Sequence, residues 1–225
     1  KEKIVGGNCL AFKYDLLKNK LLGICCAGFS GFIGKKILYK FIYPLDETLS
    51  GIEDGEFSIK IEIAKMNKKI NENDFKLLEE PLLLYTRHSE SLSFGRQNNL
   101  VFIERYTKLL QKYAFLENEN NLTPTLKDIL SNCWIKLGMH YLIIGERKMA
   151  KEAIDHSLKI KKSLLGKFFK FINFLPPKFY LYCRIFFSEF FVENIYYKYN
   201  LIKFKKYYLK YKKDLDILIK SAKSI

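Results

Sequence analysis

Apolar positions recur at helical spacing over residues 98–162. In LVFIERYTKLLQKYAFL, Phe102, Ile103, Tyr106, Leu109, Leu110 and Tyr113 fall on one stripe, which predicts an amphipathic helix. NENNLTPT then reads as a loop, and the next helix is expected to start at Pro124 or Thr125, because proline suits the first helical turn. Two earlier apolar runs, NCLAFK (8–13) and PLLLYTRH (81–88), are short and bounded by turn residues, so they predict strands. Residues 52–67, between them, fit both periods. Phe57, Ile59, Ile61 and Ile63 alternate as in a strand, whereas Ile59, Ile63, Met66 and Ile70 keep helical spacing. Ser50 and Glu53 form an S-x-x-E capping box, which favours a helix starting near Gly51.

Within the second helical stretch, Trp134, Leu137, Gly138 and Tyr141 match the W-x2-L-G-x2-Y spacing of a tetratricopeptide hairpin. Ala150 and Ile154 occupy its next expected positions, Gly145 stands at the turn, and Ser157 supplies a further small residue. Residues 131–162 therefore resemble one tetratricopeptide-type helical hairpin. A single copy does not make a solenoid, since such repeats bury their faces on neighbours; the expected role is packing on an adjoining element, with Trp134 in the core.

Composition changes the picture at the C-terminal end. The 225 residues carry a formal net charge of +15. Over residues 167–225, Lys and Arg interleave with Phe and Tyr. Such a segment suits an anionic membrane surface, where rings sit at headgroup depth. It also suits single-stranded nucleic acid, the weaker reading, or an ordinary amphipathic helix pair with snorkelling lysines. Pro176 and Pro177 are expected to break this stretch into two helical pieces. LLGICCAGFSGFIG (21–34) is the longest low-charge run. It is shorter than the roughly 20 residues of a membrane-spanning helix and reads as buried core or a membrane-touching loop. Cys9, Cys25, Cys26, Cys133 and Cys183 form no C-x-x-C pair and are odd in number. They argue against a disulfide scaffold and a structural zinc site, and for a reducing, cytoplasmic setting.

Candidate chemistry begins with Glu53 and Asp54 in GIEDGEFSIKI. Both carboxylates suit a helix start, where unpaired N–H groups and the helix dipole favour negative charge. An acid between Gly51 and Gly55 is also open to a substrate, as a general base on a hydroxyl must be. Arg87 and His88 close the second predicted strand, with Ser91 and Ser93 beyond. This group suits an anionic ligand, or a divalent metal carrying phosphates. His140 and His156 lie on helices without carboxylates at useful spacing and read as structural.

Taken in order, VGGNCLAFK, LDETLSGIEDGEFSIKI and LLEEPLLLYTRHSESLS resemble the second half of a family 2 glycosyltransferase of the GT-A fold, over residues 1–97. The resemblance implies an α/β class: an incomplete GT-A-type mixed sheet half, followed by an all-α C-terminal region containing the tetratricopeptide-like hairpin. It implies three regions: an acceptor-side half (1–97), a helical extension (98–165) and a basic aromatic helical tail (166–225). It implies Asp54 as general base, Glu53 orienting the acceptor, Gly7 and Asn8 lining the donor-sugar pocket, and Arg87 and Ser91 near the phosphates. His88 would help hold a divalent metal, Mn or Mg. The partners would be a nucleotide-sugar donor and a glycan or lipid-linked acceptor, with work at the inner face of the cell membrane. Residues 17–43 exceed the family's usual connection, and the nucleotide-binding half with its D-x-D step is not found in residues 1–97. That half is expected upstream of Lys1, so that the chain alone would be inactive. The competing reading is a non-catalytic tetratricopeptide-like adaptor with a basic, membrane-facing surface.

Overall fold

The computed structural model describes residues 40–71, 99–119, 121–176 and 205–223, with short pieces at 199 and 202–203, and the backbone of four strands at 6–15, 20–26, 32–34 and 78–87. The chain divides into two compact units that interleave along the sequence. One gathers residues 1–38, 72–94 and 185–225; the other gathers 39–71 and 95–184.

The second unit is helical throughout its described residues. Its helices are α1 (Glu53–Met66), α2 (Asn99–Lys112), α3 (Pro124–Ile144), α4 (Arg147–Ile160) and α5 (Leu164–Ile172), with short 3-10 turns at Glu47–Leu49 and Ala114–Asn118. Helix α2 has the expected stripe: Tyr106, Leu109, Leu110 and Tyr113 are buried, and Phe102 and Ile103 pack beside them. With Leu49, Ile52 and Ile59 from the α1 side and Leu126, Leu130, Cys133 and Leu137 from α3, they make one core. A second cluster joins Ile135, Leu142, Ala150 and Ile154 to Phe169 and Ile172 of α5.

The α3–α4 hairpin follows from its small residues and its caps. Thr123 caps α3, its hydroxyl accepting the Leu126 N–H at 3.1 Å, with Pro124 in the first turn. Gly145 ends α3 at φ 92°, a left-handed position that favours glycine. A Cβ on Gly138 would stand 2.8 Å from Ile154 Cγ1 and 3.3 Å from the Ala150 carbonyl, so the two helices approach closely only because that carbon is missing. Ser131 and Ser157 hydroxyls meet at 2.8 Å in the same buried seam.

The other unit contains β1 (Gly6–Asp15), β2 (Lys20–Cys26), β3 (Phe32–Gly34) and β4 (Leu78–Arg87) and the basic helix α6 (Lys205–Lys223). Strand β1 pairs antiparallel with β2 and β3 and parallel with β4.

These findings correct the expected fold class. The α/β half of GT-A type is not shown: residues 39–71, which hold the acidic pair and were grouped with residues 1–97, pack into an all-helical body whose described residues contain no strand. The physical reason is the face of α1. Ile59, Phe57, Ile61 and Ala64 are buried, and Ile52 and Ile59 enter the helical core beside Leu109 and Leu130. The capping box is corrected too. Ile52, not Ser50, is the N-cap of α1 and makes no side-chain cap hydrogen bond; Ser50 instead ends the preceding 3-10 turn. Among the described residues no helix is long and apolar enough to cross a membrane.

Gly138→Val is expected to lower stability by about 2 kcal/mol, since the added carbons must displace Ile154 or the α4 backbone. Urea unfolding checks this; an unchanged midpoint would mean that α3 and α4 do not meet at this distance.

Candidate functional site

The first turn of α1 carries three acids, Glu53, Asp54 and Glu56, and the fold gives each a different environment. The chain reaches them through Gly51, at φ 85°, with Phe102 and the Arg105 guanidinium close by. A Cβ on Gly55 would lie 3.4 Å from Leu109 and 4.0 Å from Cys133 Sγ, ordinary contact distances, so this turn packs directly on α2 and α3.

Glu56 is fully buried. Its carboxylate accepts the Asp46 N–H at 2.7 Å, Lys112 Nζ at 2.8 Å and the Tyr113 hydroxyl at 3.3 Å, and Lys60 stands at 3.3 Å. Burial by itself would raise its pKa; the Asp46 N–H and the two lysines outweigh burial and hold the carboxyl below its ordinary value. Lys112 also bonds Asp46 at 2.9 Å. That lysine first, then Thr48, keeps the Asp46 carboxyl at about 2. Burial and the Glu56 charge together push the Tyr113 phenol up.

Glu53 is half-buried, and its Oε2 is shielded from solvent with no hydrogen-bond partner. Asp54 is exposed. Its Oδ1 accepts the Gly55 N–H at 2.8 Å, and its carbonyl accepts the Ser58 hydroxyl at 2.7 Å. The Asp54 charge is felt by Tyr106, Cys133 and Lys136 on α2 and α3. Burial is the main cause that pushes the Cys133 thiol up to about 11. It therefore stays protonated at neutral pH and is not an activated nucleophile.

The other sequence-derived positions belong to the other unit or lie outside the described residues. Gly7 and Asn8 lie on β1, paired with Ile33 and Phe32, and Arg87 ends β4 opposite Asp15. His88 and Ser91 lie outside the described residues. Among the described residues there is no group of three or more His, Cys, Asp or Glu side chains that could hold a metal ion.

A second polar cluster, absent from the sequence reading, lies beside the hairpin. Glu117 accepts Trp134 Nε1 at 2.8 Å and pairs with His156 Nε2 at 2.5 Å. The Trp134 and His156 rings pack 4.2 Å apart. This corrects the view that His156 has no carboxylate partner: the partner comes from a 3-10 turn 39 residues away. Spacing along one helix does not reveal it. His140, by contrast, keeps a structural role, bonded to Asn99 at 2.9 Å and stacked on Phe102 and Tyr106.

No protein-family model, characterised protein or solved structure matches this chain.

The Glu56 network makes stability depend on acid. Glu56 and Asp46 have lower pKa values folded than unfolded, so the unfolded chain binds protons first as pH falls. Their contribution is fully present above the ordinary carboxylate range, near 4.5, and drains away towards about pH 2. Glu56→Gln is expected to flatten that part of the stability–pH curve and to cost about 2 kcal/mol at neutral pH, through hydrogen bonds to a charged group. Urea unfolding at a series of pH values measures both effects; a curve unchanged in slope would remove Glu56 as the titrating hub.

Proposed function

We propose that this chain is the acceptor-side part of a nucleotide-sugar-dependent glycosyltransferase, acting with inversion on a hydroxyl of a glycan or lipid-linked acceptor. The observation that carries the reading is the division of labour in the first turn of α1. Glu56 is consumed by four partners, whereas Asp54 is presented to solvent and, among the described residues, its carboxylate accepts only the adjacent Gly55 N–H. An ionised carboxylate on a rigid helix start is suited to taking the proton of an incoming hydroxyl. In the proposed step the acceptor oxygen forms its bond to the anomeric carbon as Asp54 accepts the proton. The bond from that carbon to the diphosphate oxygen breaks, and the diphosphate leaves with the electron pair. Glu53, half-buried beside it, would orient the acceptor. Support for the substrate class comes from the sequence order of the E-D pair, the Glu80–Pro81–Leu82 segment and the Arg87–His88 step with its serines.

The second reading, a tetratricopeptide-like adaptor, is favoured by a different observation: the close α3–α4 packing over Gly138. In that case Glu53 and Asp54 serve only the helix dipole.

The two readings part on one substitution. In the protein translated from the entire reading frame, Asp54→Asn is expected to cut nucleoside-diphosphate release with acceptor by roughly 10²–10⁴-fold, the range for loss of a general base. Its unfolding midpoint should stay put, because the side chain is exposed. Undiminished turnover, or no turnover by the parent with any nucleotide sugar offered, would leave the adaptor reading standing.

A further inference from the structure

Helix α5 is anchored by one side and leaves the other side uncovered. Gly166, Phe169 and Ile172 face the body and are buried. Leu164, Phe171 and Phe174 are 86%, 63% and 70% exposed. At about 100° per residue, Leu164, Lys167 and Phe171 share one outward side, and Phe174 continues it into the following turn. The apolar side chains on this side do not fill a core, so burial within the described residues does not explain them.

The surroundings are basic. Lys159 and Lys162 precede the helix and, with Lys170, His156, Glu152 and Asp155, line an open cavity of about 720 Å³ beside it. Lys170 is taken by Asp155 at 2.6 Å, and Lys161 is paired with Asp128. Lys159, Lys162 and Lys167 form no ion pair with a described residue. The uncovered apolar side is therefore bordered by uncommitted positive charge.

We propose that this face of α5 docks on an anionic lipid bilayer surface. Leu164, Phe171 and Phe174 enter the headgroup–acyl boundary, and Lys159, Lys162 and Lys167 meet lipid phosphates. Charge complementarity selects this occupant. A second copy of the chain would bring another +15 of formal charge against the same lysines. A helix lying in the interface needs just this pairing of an apolar side with lysines at its borders, whose stems reach past the apolar surface to the headgroups. No described helix crosses a bilayer, so the contact is one of lying on the surface. The proposal is independent of the sugar-transfer reading and would hold for an adaptor equally well.

The test is flotation of the full chain with phosphatidylcholine vesicles, with and without phosphatidylserine. The parent is expected to float with the serine-lipid vesicles and not with phosphatidylcholine alone, and added salt should release it. The variant Leu164→Ser/Phe171→Ser/Phe174→Ser should bind about tenfold more weakly, with its circular dichroism unchanged. If that variant fails to fold, Lys159→Gln/Lys162→Gln/Lys167→Gln decides the matter, with a loss of about tenfold expected. Parental binding by either folded triple variant, equal flotation with both vesicles, or capture of a single-stranded oligonucleotide in place of vesicles would overturn the proposal.

Discussion

One buried carboxylate fixes the helical body. Taking Glu56 out of water costs several kcal/mol unless its oxygens are satisfied, and this sequence satisfies them from three directions: the Asp46 backbone, Lys112 and Tyr113 at the end of α2, and Lys60 one turn further along α1. Those partners hold the turn before α1, helix α1 and the end of α2 in one arrangement. Glu62, also buried, repeats the device one and a half turns later by accepting the Thr123 hydroxyl at 3.0 Å and Lys65 at 2.6 Å. Helix α1 is thereby tied both to α2 and to the cap of α3.

The orientation of Asp54 follows from this constraint. It stands two positions before Glu56, which is about 200° around a helix. With Glu56 pinned inward, Asp54 has to point out. An exposed acid and a buried acid can thus stand in the same turn without competing, because the helical period assigns them to opposite sides. Glu53 lies between the two environments, half-buried, with one oxygen shielded and unbonded.

The hairpin obeys a different rule. A lone tetratricopeptide-type pair has no second repeat to cover it. Here α3 is covered by α2 and α1 through Leu130, Cys133 and Leu137, and α4 by α5 through Ile154, Phe169 and Ile172. Helix α5 is the last described helix of this body, and its far side carries the exposed Leu164, Phe171 and Phe174.

The sequence by itself determined the elements whose signal is local. The stripe of α2, the Pro124 start of α3, the Gly145 turn and the close approach at Gly138 are all written in residue type and spacing, because period, backbone dihedral and missing Cβ act within a few residues. Residues 52–67 were ambiguous locally, and the S-x-x-E pattern misplaced the cap by two residues, since Ser50 was needed to end the preceding turn. Only the tertiary structure decided that α1 belongs to a helical body and not to a half-sheet, that Glu56 is a hub, and that Glu117 pairs with His156. The last two join groups 57 and 39 residues apart. A carboxylate's role is set by which side chains the fold brings to its oxygens, and a linear pattern does not contain that information.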